Sequence, residues 1–132
     1  QIPVGTAEML LEGTFVTVLG IGPVVNRALE AAAAFEDRVG VCDMRFLKPL
    51  DKALLDAVLA RSRVILTVED GCLAGGLYGA VCEYVQEKGA AVRVHGIGVP
   101  DRFIPHARQA DQREECGLST RGIEETLKSI LQ

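Results

Sequence analysis

The sequence lacks every segment that would place the chain in or across a membrane. No apolar run approaches the roughly 20 residues that span a bilayer, and the longest, such as Val64-Ile65-Leu66, have the length of strands. The first residues carry neither the basic nor the apolar region of a secretory signal peptide. They also lack an initiator methionine, which favours a fragment or a processed chain. We therefore expect no membrane partner.

Grouped metal ligands are also missing. The four cysteines are Cys42, Cys72, Cys82 and Cys116, and the two histidines are His95 and His106. No two cysteines form a C-x-x-C pair and neither histidine is grouped with them, so a zinc site is not indicated. Apolar neighbours surround each cysteine, which favours buried free thiols. Free thiols indicate a reducing, cytoplasmic location.

The chain has no excess of positive charge. Its 14 Lys+Arg against 18 Asp+Glu give a net charge of −4, which excludes a nucleic-acid binder that works by bulk charge. Hydrophobic residues make up 48% and charged residues 24%, so the chain is expected to fold rather than stay disordered. Its 132 residues predict a single domain over residues 1–132. This length leaves either a small, self-contained function or one part of a larger enzyme.

Strand-like and helix-like segments alternate along the chain. Strands are predicted at Ala7–Leu11, Thr14–Leu19, Val39–Met44, Val64–Val68 and Ala91–Val94. Helices are predicted at Pro23–Phe35, from an Asp51 N-cap to about Ala60, at Leu77–Lys88, around His106–Glu115, and after a Ser119 cap. This order predicts an α/β three-layer sandwich with a mixed, mostly parallel sheet of about five strands and one antiparallel N-terminal strand. Glu12-Gly13 predicts a tight hairpin between the first two strands.

Two glycines at a strand–helix junction invite comparison with a dinucleotide site. Gly20 and Gly22 match the first two glycines of G-x-G-x-x-G, but Val25 occupies the third position. Asp43, at the end of the next strand, would then be the acid that binds the ribose. The alternative is that these glycines only let the chain turn tightly into a helix.

A second set of candidates follows the most buried strand. Glu69 and Asp70 lie at its carboxyl end, where ligands or partners of open α/β sheets bind, or they form a solvated acidic loop. Gly75-Gly76 precedes a helix and offers either N–H groups to an anion or a tight turn. The loop Asp101–His106 mixes charge, an aromatic ring and a proline. It would dock on another domain, line a cleft, or simply be an ordered surface loop. No Ser-His-Asp set or P-loop occurs in the sequence, so no self-contained active site is predicted.

Segments along nearly the whole chain resemble the C-terminal domain of 1-deoxy-D-xylulose-5-phosphate synthases, which are transketolase-type enzymes. They are Ile2–Gly5, Gly20–Gly22, Arg45–Asp51, Thr67–Gly71, Gly75-Gly76, Pro100–His106 and Gly117–Ile123. The resemblance implies a homodimeric parent enzyme that condenses pyruvate with D-glyceraldehyde 3-phosphate and releases carbon dioxide. The product feeds isoprenoid, thiamine and pyridoxal synthesis.

The resemblance also implies where the chemistry lies. Thiamine diphosphate and Mg²⁺ belong to two preceding domains, so this domain would bind neither and would hold no catalytic residue. Its expected partners are those preceding domains and a second subunit. The candidate contact residues are Glu69, Gly75, Gly76, Asp101, Arg102 and His106. Two alternatives stay open: a small-ligand or nucleotide-binding module, and a docking domain like that of 2-oxo acid dehydrogenase β subunits.

Overall fold

Five strands form one sheet in the order β1-β3-β2-β4-β5. A computed structural model describes residues 1–72, 76–99, 114 and 116–132 of the chain. The strands are β1 (Glu8–Leu11), β2 (Val16–Ile21), β3 (Val39–Asp43), β4 (Val64–Cys72) and β5 (Arg93–Val99). The helices of the described residues are α1 (Val24–Ala32), a 3₁₀ segment (Ala33–Arg38), α2 (Lys52–Arg61), α3 (Leu77–Lys88) and α4 (Thr120–Leu131).

The sheet is mixed, as the alternating pattern predicts. Strands β3, β2, β4 and β5 are parallel neighbours, and β1 pairs antiparallel with β3 at one edge. Helices cover both faces, so the α/β three-layer sandwich with one antiparallel N-terminal strand is confirmed. Among the described residues, no helix combines the length and the apolar character that a membrane span requires.

Each face of the sheet has its own apolar core. On one face, α1 and α4 cover the even-numbered residues of β4, with Ala28, Ile123 and Leu127 buried. On the other face, α2 and α3 cover the odd-numbered residues, with Leu55 and Val81 buried. Because both faces of β4 are covered, its run of Val64 to Val68 is buried and, apart from Thr67, apolar without alternation.

The predicted hairpin between β1 and β2 is wrong. The two strands lie on either side of β3, so the chain crosses the end of β3 at Gly13. A Cβ on Gly13 would lie 2.1 Å from the backbone N of Gly40, and one on Gly40 would lie 2.7 Å from the carbonyl oxygen of Leu11. At Glu12-Gly13 the chain therefore passes close to another backbone segment. Glycine is favoured at such close contacts as well as in tight turns.

Several predicted boundaries also differ, among them the second strand, which is Val16–Ile21 and not Thr14–Leu19. The helix predicted to reach Phe35 ends as α1 at Ala32 and continues as 3₁₀, with Phe35 still buried. Strand β4 continues beyond Val68 to Cys72. The last strand is Arg93–Val99 and not Ala91–Val94, since its pairing with β4 carries it through Gly96 and Gly98. Backbone pairing outweighs the weak strand propensity of these glycines.

The predicted helix ends are largely confirmed. Asp51 caps α2 by accepting the Leu54 amide at 3.0 Å, and Ser119 caps α4 by accepting the Gly122 amide at 3.0 Å. Gly89 ends α3 with a φ of 64°, the left-handed conformation that suits glycine. Helix α3 has the predicted bounds.

Replacement of Gly40 by alanine is expected to lower the free energy of unfolding by about 1–3 kcal/mol, because the added methyl group meets backbone that cannot rotate away. Gly79→Ala in α3 is the matched control, since no atom lies within 4 Å of a Cβ built there. That control is expected to gain about 0.5–1 kcal/mol from helix propensity. Urea unfolding of both variants measures the difference; equal effects would contradict the close crossing.

Candidate functional site at the carboxyl edge of the sheet

The carboxyl ends of the parallel strands β2, β3, β4 and β5 lie at one edge of the sheet. The loop after β3 and the first turns of α3 enclose a groove of about 340 Å³. Its lining residues are Leu47, Lys48, Gly76, Gly79, Ala80 and Glu83. The lining thus combines one lysine and one glutamate with three small residues. The groove offers close approach to a backbone and one charge of each sign.

Glu69 joins β4 to the start of α3. Its side chain is only 7% exposed. Oε1 accepts the Leu77 amide at 2.9 Å and Oε2 accepts the Tyr78 amide at 3.1 Å. Each carboxylate oxygen thus satisfies one of the free N–H groups of a helix N-terminus, where the helix dipole also favours negative charge. Glu69 is therefore no part of a solvated loop.

The anion site predicted before α3 is occupied from within. Gly76 is the N-cap residue of α3 and supplies no side-chain cap. The carboxylate of Glu69 takes the position that a phosphate would need at the first two amides. The start of α3 is consequently an internal junction.

Asp70 points to the opposite face, because successive side chains of a strand alternate. It is exposed, and its Oδ1 lies 2.9 Å from Nη2 of Arg27 in α1. Nε of Arg27 donates to the carbonyl oxygen of Leu118, just before α4, at 2.7 Å. Arg27 thus links α1, β4 and the approach to α4. No local sequence pattern marks Arg27, since its partners lie 43 and 91 residues away.

The residues of the nucleotide hypothesis have internal roles. A Cβ on Gly20 would lie 2.8 Å from a methyl group of Val25, so this glycine lets α1 pack closely on β2. Gly22 has a φ of 87° and turns the chain into α1. Oδ1 of Asp43 accepts the Arg45 amide at 3.0 Å. The alternative interpretation of these glycines, a tight turn into a helix, accounts for Gly22.

The buried thiol of Cys42 is chemically quiet. Burial raises its pKa to about 12, and the carboxylates of Asp43 and Asp51 add to the rise. A thiol that stays protonated at neutral pH is a poor nucleophile and a poor metal ligand. Cys82 and Cys116 are free and only partly buried, so the expectation of full burial is wrong for them.

Several candidate residues fall outside the described part of the chain. They are Gly75, Asp101, Arg102 and His106, together with most of the helix predicted around His106–Glu115.

A family match covers most of the chain. Residues 5–123 match the family described as "Transketolase, C-terminal domain". The chain belongs to this family. Among relatives, this transketolase C-terminal domain is 41% identical over 131 residues to the 1-deoxy-D-xylulose-5-phosphate synthase of Idiomarina loihiensis and 38% identical over 135 residues to that of Aquifex aeolicus. These matches cover 99% and 100% of the domain, but only 21% and 22% of the two relatives.

A solved structure shares the fold. The chain titled "Split gene transketolase, inactive beta4 tetramer" matches this transketolase C-terminal domain with a TM-score of 0.88 and 32% identity. The match covers 98% of the domain and 43% of that chain. In all three proteins the matched region is a minor part of a longer polypeptide.

Substitution of Glu69 by glutamine is expected to lower the free energy of unfolding by about 1–3 kcal/mol. The amide retains one acceptor oxygen, but its NH₂ group would face a backbone N–H in a buried position. Asp70→Asn is the neighbouring control, expected to cost less than about 1 kcal/mol because that ion pair is partly exposed. Denaturant titration distinguishes the two; a glutamine variant as stable as the control would exclude the junction role.

Proposed function

We propose that this chain is the C-terminal domain of a 1-deoxy-D-xylulose-5-phosphate synthase and that it contributes structure rather than catalysis. The observation that carries the proposal is a match to a curated synthase at 41% identity. The match covers 99% of this domain and 21% of the length of that synthase. In the parent reaction implied by the resemblance, pyruvate and D-glyceraldehyde 3-phosphate give 1-deoxy-D-xylulose 5-phosphate and carbon dioxide. A cytoplasmic location and a homodimer belong to the same proposal.

The described residues do not fit thiamine diphosphate with Mg²⁺. Within residues 1–72, 76–99, 114 and 116–132, no three His, Cys, Asp or Glu side chains are grouped closely enough to hold a metal ion. The N-terminus of α3, which would suit a diphosphate, already binds Glu69. We therefore assign cofactor binding to the other domains of the parent enzyme and derive no catalytic step here.

The contribution of this domain would be positional. Thiamine chemistry needs a water-excluding, preorganised cleft, and a third domain can hold the domains that form it. We assign the contact surface to Gly76 at the carboxyl edge of the sheet and, from the sequence alone, to Gly75, Asp101, Arg102 and His106. The groove beside Gly76 supports this assignment. Glu69 would contribute indirectly, because its buried carboxylate fixes the start of α3.

The alternatives have less support. A nucleotide-binding module would need Gly20, Gly22 and Asp43 free for a ligand, whereas Gly20 and Asp43 have internal roles. A docking domain of a 2-oxo acid dehydrogenase β subunit has no specific observation in its favour, and the curated relatives from Idiomarina loihiensis and Aquifex aeolicus are synthases.

A thermal-shift screen with nucleotides is expected to leave the unfolding temperature of the chain unchanged.

The 132-residue chain is expected to form no product from pyruvate and D-glyceraldehyde 3-phosphate, even with thiamine diphosphate and Mg²⁺ added. The longer polypeptide that contains it is expected to turn these substrates over. A coupled assay of 1-deoxy-D-xylulose 5-phosphate measures both. Product from the chain alone would overturn the non-catalytic role, and an inactive longer polypeptide would overturn the synthase assignment.

Arg102→Ala in the longer polypeptide tests the contact surface. We expect weaker dimerisation and lower turnover, because the substitution removes the charge that the proposed contact would use. Arg63→Ala is the control, since Arg63 is exposed and precedes β4 at the opposite edge of the sheet. Sedimentation and steady-state kinetics measure both effects. Wild-type values for both in Arg102→Ala would contradict the assigned surface.

A further inference from the structure

Two segments that carried the family resemblance contact each other. The carbonyl oxygen of Pro3 accepts both the Thr6 amide at 3.3 Å and the Thr6 hydroxyl at 2.6 Å, which closes a turn. Gly5 has a φ of 80° in this turn, and a Cβ there would lie 2.8 Å from Cγ of Pro49. Glycine is therefore favoured at position 5 for two reasons. The turn requires a positive φ, and the loop after β3 leaves no space for a side chain.

The carboxylate of Asp51 binds two parts of the chain at once. Oδ1 accepts the Leu54 amide at 3.0 Å and caps α2. Oδ2 accepts the Ala7 amide at 2.8 Å, 44 residues away in the sequence. Helix capping alone requires only the first of these bonds. The second oxygen ties the residues before β1 to the start of α2.

Arg45 makes a further contact with the same region. Its φ is 60°, which is uncommon outside glycine, and the bond from its amide to Asp43 supports this conformation. Nη2 of Arg45 lies 3.0 Å from Oε2 of Glu8. A residue held in a sparsely populated conformation often marks a functional constraint. Here that conformation accompanies an ion pair with the first residue of β1.

We propose that Arg45–Asp51 is a clasp for residues 5–8 and fixes the direction in which the preceding polypeptide leaves this domain. The family consists of C-terminal domains, and the relative from Idiomarina loihiensis is about five times longer than this chain. The direction of the preceding polypeptide would therefore orient the rest of the enzyme. The orienting role rests on the proposed function, whereas the clasp does not. Asp51 is its main positioning residue, because the Arg45–Glu8 pair is partly exposed.

Asp51→Ser and Asp51→Asn test the clasp in the 132-residue chain. Serine and asparagine both cap helices well, but neither offers a second carboxylate oxygen to Ala7. We expect amide exchange at Ala7 to accelerate by about tenfold or more. Exchange at Leu54, the internal control, should change much less. Two variants are used so that misfolding of one leaves the other informative.

Ala7 exchange that is unchanged, or no faster than the change at Leu54, would overturn the clasp. This readout needs no substrate, so it stands apart from the synthase assignment. In the longer polypeptide, Asp51→Asn is expected to lower turnover while that polypeptide stays folded. Normal turnover together with a disrupted Ala7 contact would overturn the orienting role, and an inactive parent polypeptide would count against the proposed function instead.

Discussion

The hydrogen bonds of the buried Glu69 carboxylate are the interaction on which the carboxyl edge of the sheet depends. It lies in β4, a strand paired on both sides, and satisfies the first two amides of α3. A charge in this position is tolerated because each oxygen has a donor and the helix dipole favours it. These hydrogen bonds fix the start of α3 to β4. They therefore also fix Gly76 and Gly79, which line the groove.

Successive side chains of β4 point to opposite faces of the sheet, so the adjacent Glu69 and Asp70 contact different helices. Glu69 points to the α2–α3 face, and Asp70 to the α1–α4 face, where it meets Arg27. One strand end therefore organises both layers of helices. The clasp at Asp51 adds a similar link at the edge, where one carboxylate serves a helix and the residues before β1. Both sites use carboxylates to join elements that are distant in sequence.

Local patterns predicted the elements well and their long-range partners poorly. The caps at Asp51, Ser119 and Gly89 are confirmed, because capping depends on a few neighbouring residues. The β1–β2 hairpin is wrong, because Glu12-Gly13 carries no signal that the chain crosses Gly40. The position of Glu69 at the end of a strand marks it as a candidate site residue. Its role as the acceptor for the first amides of α3 depends on the tertiary contact between β4 and α3, which no local pattern predicts. The resemblance of specific segments predicted the transketolase C-terminal family, which periodicity alone could not.

Amide hydrogen exchange at Leu77 and Tyr78 tests the Glu69 junction most directly. First-turn amides of a helix ordinarily lack an intrahelical acceptor and exchange readily. With Glu69 as their acceptor, both are expected to be protected to about the level of Leu66 in β4, which opens only with the whole domain. Rapid exchange at Leu77 and Tyr78, while Leu66 stays protected, would contradict the junction.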